Sequence, residues 1–453
     1  MGLIDSLAST RELADVFGDE SVLAAMLQFE VALASAEAAS GIIPRAAASV
    51  IASAAVASDF DSAALQVDAL RAATLSIPFV KAFTERVRAT DAAAAGFVHW
   101  GATSQDLADT ALVLLLKRAE PILVRDLNRL VQTLRQLSDN HKDSVMLGRT
   151  LLQAATPTTF GLKVAGWLAA IERCATRLNT AFGETLILQF GGAAGTLAAL
   201  QGHGLAVAEA LARELEVSLP DAPWHAHRDR MAALLSACGV LTASLGKMAR
   251  DLSLMMQSEI GEAAEPSGAG RGGSSAMPHK RNPVGCALTL AAAVRVPGQV
   301  AAYLSAMVQE HERGMGGWQS EWPVVAAVIQ GTGLAVSCMA EVAGKLTVDP
   351  ARMRANIEAT SGAIFAEKAM MLLAPKLGRD TAHVLMDEAT RRSVREKRRL
   401  AEVLAQIPDV VKHIDAADLS RLESPEDYLG SAEAFRLRLL STKASSKSGQ
   451  KKD

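Results

Sequence analysis

The run Gly272-Gly273-Ser274-Ser275-Ala276-Met277-Pro278-His279-Lys280-Arg281-Asn282-Pro283 packs two hydroxyls, three cationic or potentially cationic side chains and one amide into twelve residues. Such a set suits an anionic substrate on which a carbanion must be stabilised. A neutral serine is a poor base near neutral pH, so a serine here needs a local positive field to become anionic, and Lys280 is the obvious source. Gly268, Gly270, Gly272 and Gly273 give the approach the freedom of a lid that folds over a small molecule and expels water. The run lacks the Gly-Lys-Ser or Gly-Lys-Thr ending of a phosphate-binding loop, which argues against a nucleoside triphosphate. A basic surface loop is the plain alternative.

Two other segments interrupt the apolar pattern with clustered polar residues. In His99-Trp100-Gly101-Ala102-Thr103-Ser104-Gln105-Asp106, Thr103 and Ser104 can offer hydroxyls and the unpaired amides of a helix start to a carboxylate. An ordinary N-cap with Asp106 in the first turn fits the same residues. In Gly148-Arg149-Thr150-Leu151-Leu152-Gln153, Arg149 can fork onto a carboxylate while Thr150 and Gln153 supply neutral donors. The competing reading is a surface turn ahead of a helix after Pro157.

The elements that must position these segments read as helices. Leu123, Leu127, Leu130, Leu134 and Leu137 step by four and three between Pro121 and His141, as do Leu241, Leu245, Met248, Leu252 and Met255 within a pattern from about Asp229 to Glu259. Alternating strand patterns are nearly absent. Long helices with one apolar face need partners, so an all-α bundle is expected, with helices long enough to be shared between subunits. Half the 453 residues are apolar and only 4% aromatic, a composition of small side chains suited to close helix packing. Three helical regions follow: a head over 1–110, a long-helix body over 111–350 and a smaller tail over 351–442. The Lys/Ser-rich end, 443–453, has little reason to fold.

Net charge of -3 gives no general attraction to nucleic acid or an anionic membrane, so neither is expected as a partner. The apolar windows Val284 to Val294 and Val324 to Ala340 read as buried helices, too short for a membrane span or interrupted by Gln330, Gly331 and Gly333. Cys174, Cys238, Cys286 and Cys338 show neither disulfide nor metal spacing, and no secretory signal is evident, which points to a reducing cytoplasm.

In this order and on this helical background, the three polar segments resemble the signature regions of the fumarase/aspartase superfamily, which includes argininosuccinate and adenylosuccinate lyases and a lactone-forming cycloisomerase branch. The likeness spans nearly the whole chain. It implies a homotetramer built on a twenty-helix core, each active site assembled from three subunits, with neither metal nor organic cofactor. It makes Ser274 the proton-transfer residue, with Lys280 and Asn282 holding the carbanionic carboxylate. His99 matches a substrate-facing histidine of several members, with a structural hydrogen-bonding histidine a close second reading. Thr103, Ser104, Arg149, Thr150, Gln153, Ser275, Met277 and Arg313 complete the implied substrate pocket.

Two departures narrow the reaction. Many of these lyases carry Gly-Arg-Thr-His in the second region, where the histidine helps protonate the leaving group, and a paired glutamate five residues after the asparagine of the third. Here those positions are Leu151 and Ala287. Amine and alkoxide leaving groups need such an acid, whereas a carboxylate, with a pKa of about 4, leaves as the anion. The missing relay favours the cycloisomerase branch: lactone formation from a carboxylated muconate in protocatechuate breakdown, a small polycarboxylate substrate. Segments Glu310 to Trp322 and Ser424 to Ala432 resemble that branch too, with Ser424 replacing its aspartate. An adenylosuccinate-type, fumarate-releasing lyase is the alternative.

Overall fold

Apolar stripes at helical spacing become helices throughout the computed structural model, which describes residues 2–441 apart from 269–271, 274–276 and 278–279. The expected flexible end, 443–453, lies outside the described residues. Among the described residues six helices exceed twenty residues: α1 (Asp19–Ala39), α2 (Ser104–Asn140), α3 (Phe160–Thr185), α4 (Asp229–Met255), α5 (Val284–Ala306) and α6 (Gly317–Gly344). The fold is all-α. Shorter helices fill the head and tail, and among the described residues the strands are confined to two small antiparallel pairs.

Both predicted stripes are buried, one along α2 and one along α4. Helix α2 runs unbroken through Pro121, merging what the sequence divides at that residue. Pro121 lies on the exposed side, so water can satisfy the carbonyl its missing N–H leaves unpaired. The two apolar windows likewise belong to continuous helices of 23 and 28 residues. This corrects the expectation that they are short or interrupted: α1, α4, α5 and α6 are each long and apolar enough to cross a membrane by length and composition. Gly331 and Gly333 serve close packing there. A Cβ on Gly331 would lie 2.9 Å from Val296, and one on Gly333 2.0 Å from Leu13.

The chain forms two compact units, each drawn from three stretches. One comprises Met1–Asn128, Arg173–Gly246 and Leu288–Met339; the other comprises Arg129–Glu172, Lys247–Ala287 and the chain from Ala340 onward. In the first, α1 and the head helices pack around Phe29, Leu33, Phe79 and Phe83, with the Phe60 ring stacked on Phe79 at 5.6 Å. The same unit buries a charged cluster. Arg228 forks onto Asp109 at 2.7 and 3.0 Å and bonds Glu321, which also accepts from Tyr303 and Gln309.

In the second unit, Leu373, Met386, Leu400, Val403 and Leu422 form the tail core. A second cluster, Val145, Leu147, Ile357 and Phe365, anchors the hairpin of β1 (Val145–Thr150) and β2 (Gln153–Thr159).

Candidate active site

The first polar segment starts α2, with the geometry of an N-cap and Asp106 in the first turn. Thr103 is the cap: its N–H donates to Asp106 Oδ2 at 3.0 Å, the reach-back half of a capping box. Fully buried, Asp106 also accepts from the amides of Gly191 and Gly192, at 3.0 and 2.9 Å, and from His225 Nε2 at 2.7 Å. A carboxylate with this many donors welds the Gly191–Gly192 turn to the helix start. Gly192, at φ 68°, brings a position where a Cβ would sit 3.0 Å from the Gly101 carbonyl. Arg313 reaches the same turn, donating to the Ala193 carbonyl at 2.8 Å. Ser104 is half-buried and its carbonyl accepts from Ser76. No described group accepts from the first-turn amides of Ser104 and Gln105.

His99 precedes this turn and donates from Nδ1 to Glu30 on α1 at 2.6 Å. Burial opposes its protonation, but the charge and hydrogen bond of Glu30, with the charge of Asp106, outweigh burial and hold the imidazole pKa above its usual value.

The second polar segment is a β-hairpin, where the sequence suggests only a turn. Arg149 forks onto Glu262, Nη1 to Oε2 at 2.9 Å and Nη2 to Oε1 at 2.7 Å, and Asn356 donates to the same carboxylate at 2.8 Å. Thr150 pairs with Gln153 across the tip, both exposed. Between them Leu151 and Leu152 have φ of 51° and 65° and are 96% and 77% exposed.

For the third segment, Ser274, Ser275 and His279 lie outside the described residues. Its ends are held firmly. Asn282 N–H donates to the Gly272 carbonyl at 2.8 Å, and Gly272 sits at φ 68°, where a Cβ would lie 3.0 Å from the Asn282 carbonyl. The buried Glu265 carboxylate caps α5, accepting from the amides of Gly285 and Cys286 at 2.9 and 2.8 Å. Lys280 and Met277 are exposed and Asn282 half-buried.

His99, Thr103, Ser104 and Arg313 thus gather in the first unit, around Asp106 and Gly192, while Arg149, Thr150, Gln153, Met277, Lys280 and Asn282 belong to the second. Sequence reasoning misses Glu30, Asp106 as an anchor, Glu262 and Glu265. Glu30 alone carried a signal, an acid inside the apolar run Leu23 to Ala36.

Polar segments at a helix start, a hairpin tip and a glycine-rich loop, each adjoining a long helix, make up a lyase-type framework. A family model described as lyase matches residues 8–298, and one described as adenylosuccinate lyase C-terminus matches 362–439. The chain is 47% identical over 438 residues to 3-carboxy-cis,cis-muconate cycloisomerase of Bradyrhizobium diazoefficiens, with 97% of each covered. It is 40% identical over 439 residues to nitrosuccinate lyase of Streptomyces davaonensis, covering 95% of this chain and 92% of that one. The crystal structure of 3-carboxy-cis,cis-muconate lactonizing enzyme from Pseudomonas putida superposes with a TM-score of 0.91 at 42% identity, covering 97% of this chain and 98% of the other. The chain belongs to the fumarase/aspartase superfamily, in the branch of bacterial 3-carboxy-cis,cis-muconate cycloisomerases.

Proposed function

We propose that the protein catalyses the cycloisomerisation of 3-carboxy-cis,cis-muconate to 4-carboxymuconolactone, a step of protocatechuate breakdown by the β-ketoadipate route. The observation that carries this reading is Leu151. The hairpin tip, where the superfamily's amine- and alkoxide-releasing members hold a proton-donating histidine, ends in an exposed leucine, and Ala287 replaces the partner glutamate. A substrate whose leaving or attacking group is its own carboxylate needs no such acid.

One substrate carboxylate adds to the double bond, forming the ring C–O bond. Electron density moves to the adjacent carbon and into the carboxylate beside it. Lys280 and Asn282 hold that carboxylate, and Ser274 delivers the proton to the carbon; in reverse, ionised Ser274 removes it. The internal nucleophile already has a high effective concentration, so the enzyme's work is to fix geometry and field. Thr103, Ser104 and Arg313, with Arg149, Thr150 and Gln153, supply donors for the remaining charge.

A homotetramer with shared active sites fits the uncovered apolar surface. Only 33% of the apolar window of α5 is buried, and Val294 stands 79% exposed. All four cysteines stand outside disulfides, which suits a reducing, cytoplasmic setting.

A second reading comes from the nitrosuccinate lyase relative. Elimination of a nitro substituent as nitrite also releases a weakly basic anion and does without the acid relay. Incubation of purified protein with 3-carboxy-cis,cis-muconate, following loss of its conjugated ultraviolet absorption, is expected to yield the lactone. Absence of lactone overturns the proposal. Nitrite from nitrosuccinate, or fumarate from adenylosuccinate, in the same preparation would then name the replacement.

A further inference from the structure

His99 is held from two directions. Its backbone sits at φ 58°, a left-handed setting disfavoured for a residue with a Cβ, and its Nδ1 is fixed at 2.6 Å from Glu30 Oε1. Its Nε2 has no hydrogen-bond partner among the described residues. The chain then turns through Gly101, at φ 70°, straight into the capped start of α2. A ring so constrained, with its side chain 15% exposed, commits one nitrogen to Glu30 and leaves the other without a partner among the described residues.

Glu30 is buried on α1, and its second oxygen has no partner. A buried carboxylate is costly unless a cation compensates it. A neutral imidazole would satisfy one lone pair and leave the charge; an imidazolium satisfies both. The groups that face this pair are acidic: Asp106 on α2 adds its charge to His99, and Glu37 lies seven residues along α1 from Glu30. Glu37 is fully buried with both oxygens unpartnered, and burial and the charge of Glu30 push its pKa to about 9. It therefore stays protonated at neutral pH and leaves the His99 proton uncontested.

We infer that Glu30 is a positioning residue for the cycloisomerisation proposed above: it fixes Nδ1–H inward and favours the protonated ring, so that Nε2–H meets a substrate carboxylate. The inference rests on that reaction only for the identity of the polycarboxylate. Glu30 touches no substrate atom itself.

Tricarballylate, a tricarboxylate with no double bond to cyclise, separates binding from turnover. Its affinity is to be measured calorimetrically from about pH 6 to 9 for wild type, Glu30→Gln, Glu30→Asp and His99→Gln, together with kcat and KM for the muconate. Wild-type affinity is expected to fall as pH rises. Glu30→Gln should weaken binding about tenfold near neutrality and move the fall to lower pH, raising KM while kcat changes less than about threefold. Glu30→Asp, which keeps the charge, should retain the wild-type pH profile, and His99→Gln should abolish the pH dependence. A Glu30→Gln enzyme that loses only thermal stability, with wild-type affinity and pH profile, overturns the inference. So does equal damage from Glu30→Gln and Glu30→Asp, or a wild type that binds no tricarballylate. If the muconate is not turned over but tricarballylate behaves as expected, the proposed reaction falls and the role of Glu30 stands.

Discussion

Arg149 and Glu262 are joined by a two-point ion pair whose carboxylate end is fully buried and whose guanidinium end is partly open to solvent. The pair fixes the plane of a cation one residue before the exposed hairpin tip. Lysine would keep the charge but lose the fork. Arg149→Lys is therefore expected to lower kcat/KM by about ten- to a hundredfold with a small change in melting temperature. Glu262→Gln should cost about 2 kcal/mol or more in stability, because the arginine loses its counter-charge. Calorimetry and steady-state kinetics separate the two, and a fully active Arg149→Lys enzyme would reduce Arg149 to a structural clamp.

The two-residue loop Leu151–Leu152 breaks two rules at once. Both residues have positive φ, as a type I′ turn requires, where Asn-Gly is the favoured pair, and both expose large apolar side chains. Left-handed backbone costs a residue with a Cβ about 1 kcal/mol or more. Replacing the pair by Leu151→Asn with Leu152→Gly should leave the fold as stable or more so, while kcat/KM falls at least about tenfold if the leucines face substrate or a neighbouring subunit. Unchanged turnover would show the tip to be idle.

What the sequence makes legible is what local spacing decides. The stripes of α2 and α4 need only a 3.6-residue period, and the glycine-rich motif is contiguous. The hairpin escaped because β1 and β2 are short, contain Gly148 and Pro157, and meet in a turn with no glycine or asparagine to announce it. Gly331 and Gly333 read as breaks, since a glycine that permits close helix contact looks the same in sequence as one that ends a helix. The pairs that orient the site join residues far apart: His99 with Glu30 across 69 positions, Arg149 with Glu262 across 113. No local pattern specifies such partners.

Arg228 is wholly buried and serves two acids, Asp109 and Glu321, while Trp318 donates to Asp109 at 3.2 Å. The cluster ties the starts of α2, α4 and α6 together. Arg228→Met would leave two carboxylates buried without a cation, at a cost of about 3–5 kcal/mol, and is expected to abolish soluble protein. Arg228→Lys, which cannot fork onto both acids, should express but melt several degrees lower. Soluble yield and thermal unfolding test this, and wild-type melting in either variant would mean the acids are protonated and the arginine dispensable.

Glu37 sets a pH dependence of stability opposite in sign to that of a salt-bridged acid. Its folded-state pKa, near 9, lies far above the ordinary 4.5, because burial and then the charge of Glu30 disfavour ionisation. Between those values the folded protein keeps a proton that the unfolded chain releases. The unfolded state thus gains with rising pH, by about 1.4 kcal/mol per pH unit for one group, until the folded-state value is passed. The contribution is fully favourable below about pH 4.5 and is lost progressively toward pH 9. Glu37→Gln removes the ionisable proton while keeping the shape. Melting temperatures measured from about pH 6 to 9 should fall more steeply for wild type than for Glu37→Gln, the curves diverging in the variant's favour as pH rises. Parallel curves would mean that Glu37 ionises in the folded protein, and that the unpartnered oxygens on α1 find a cation in the assembled enzyme.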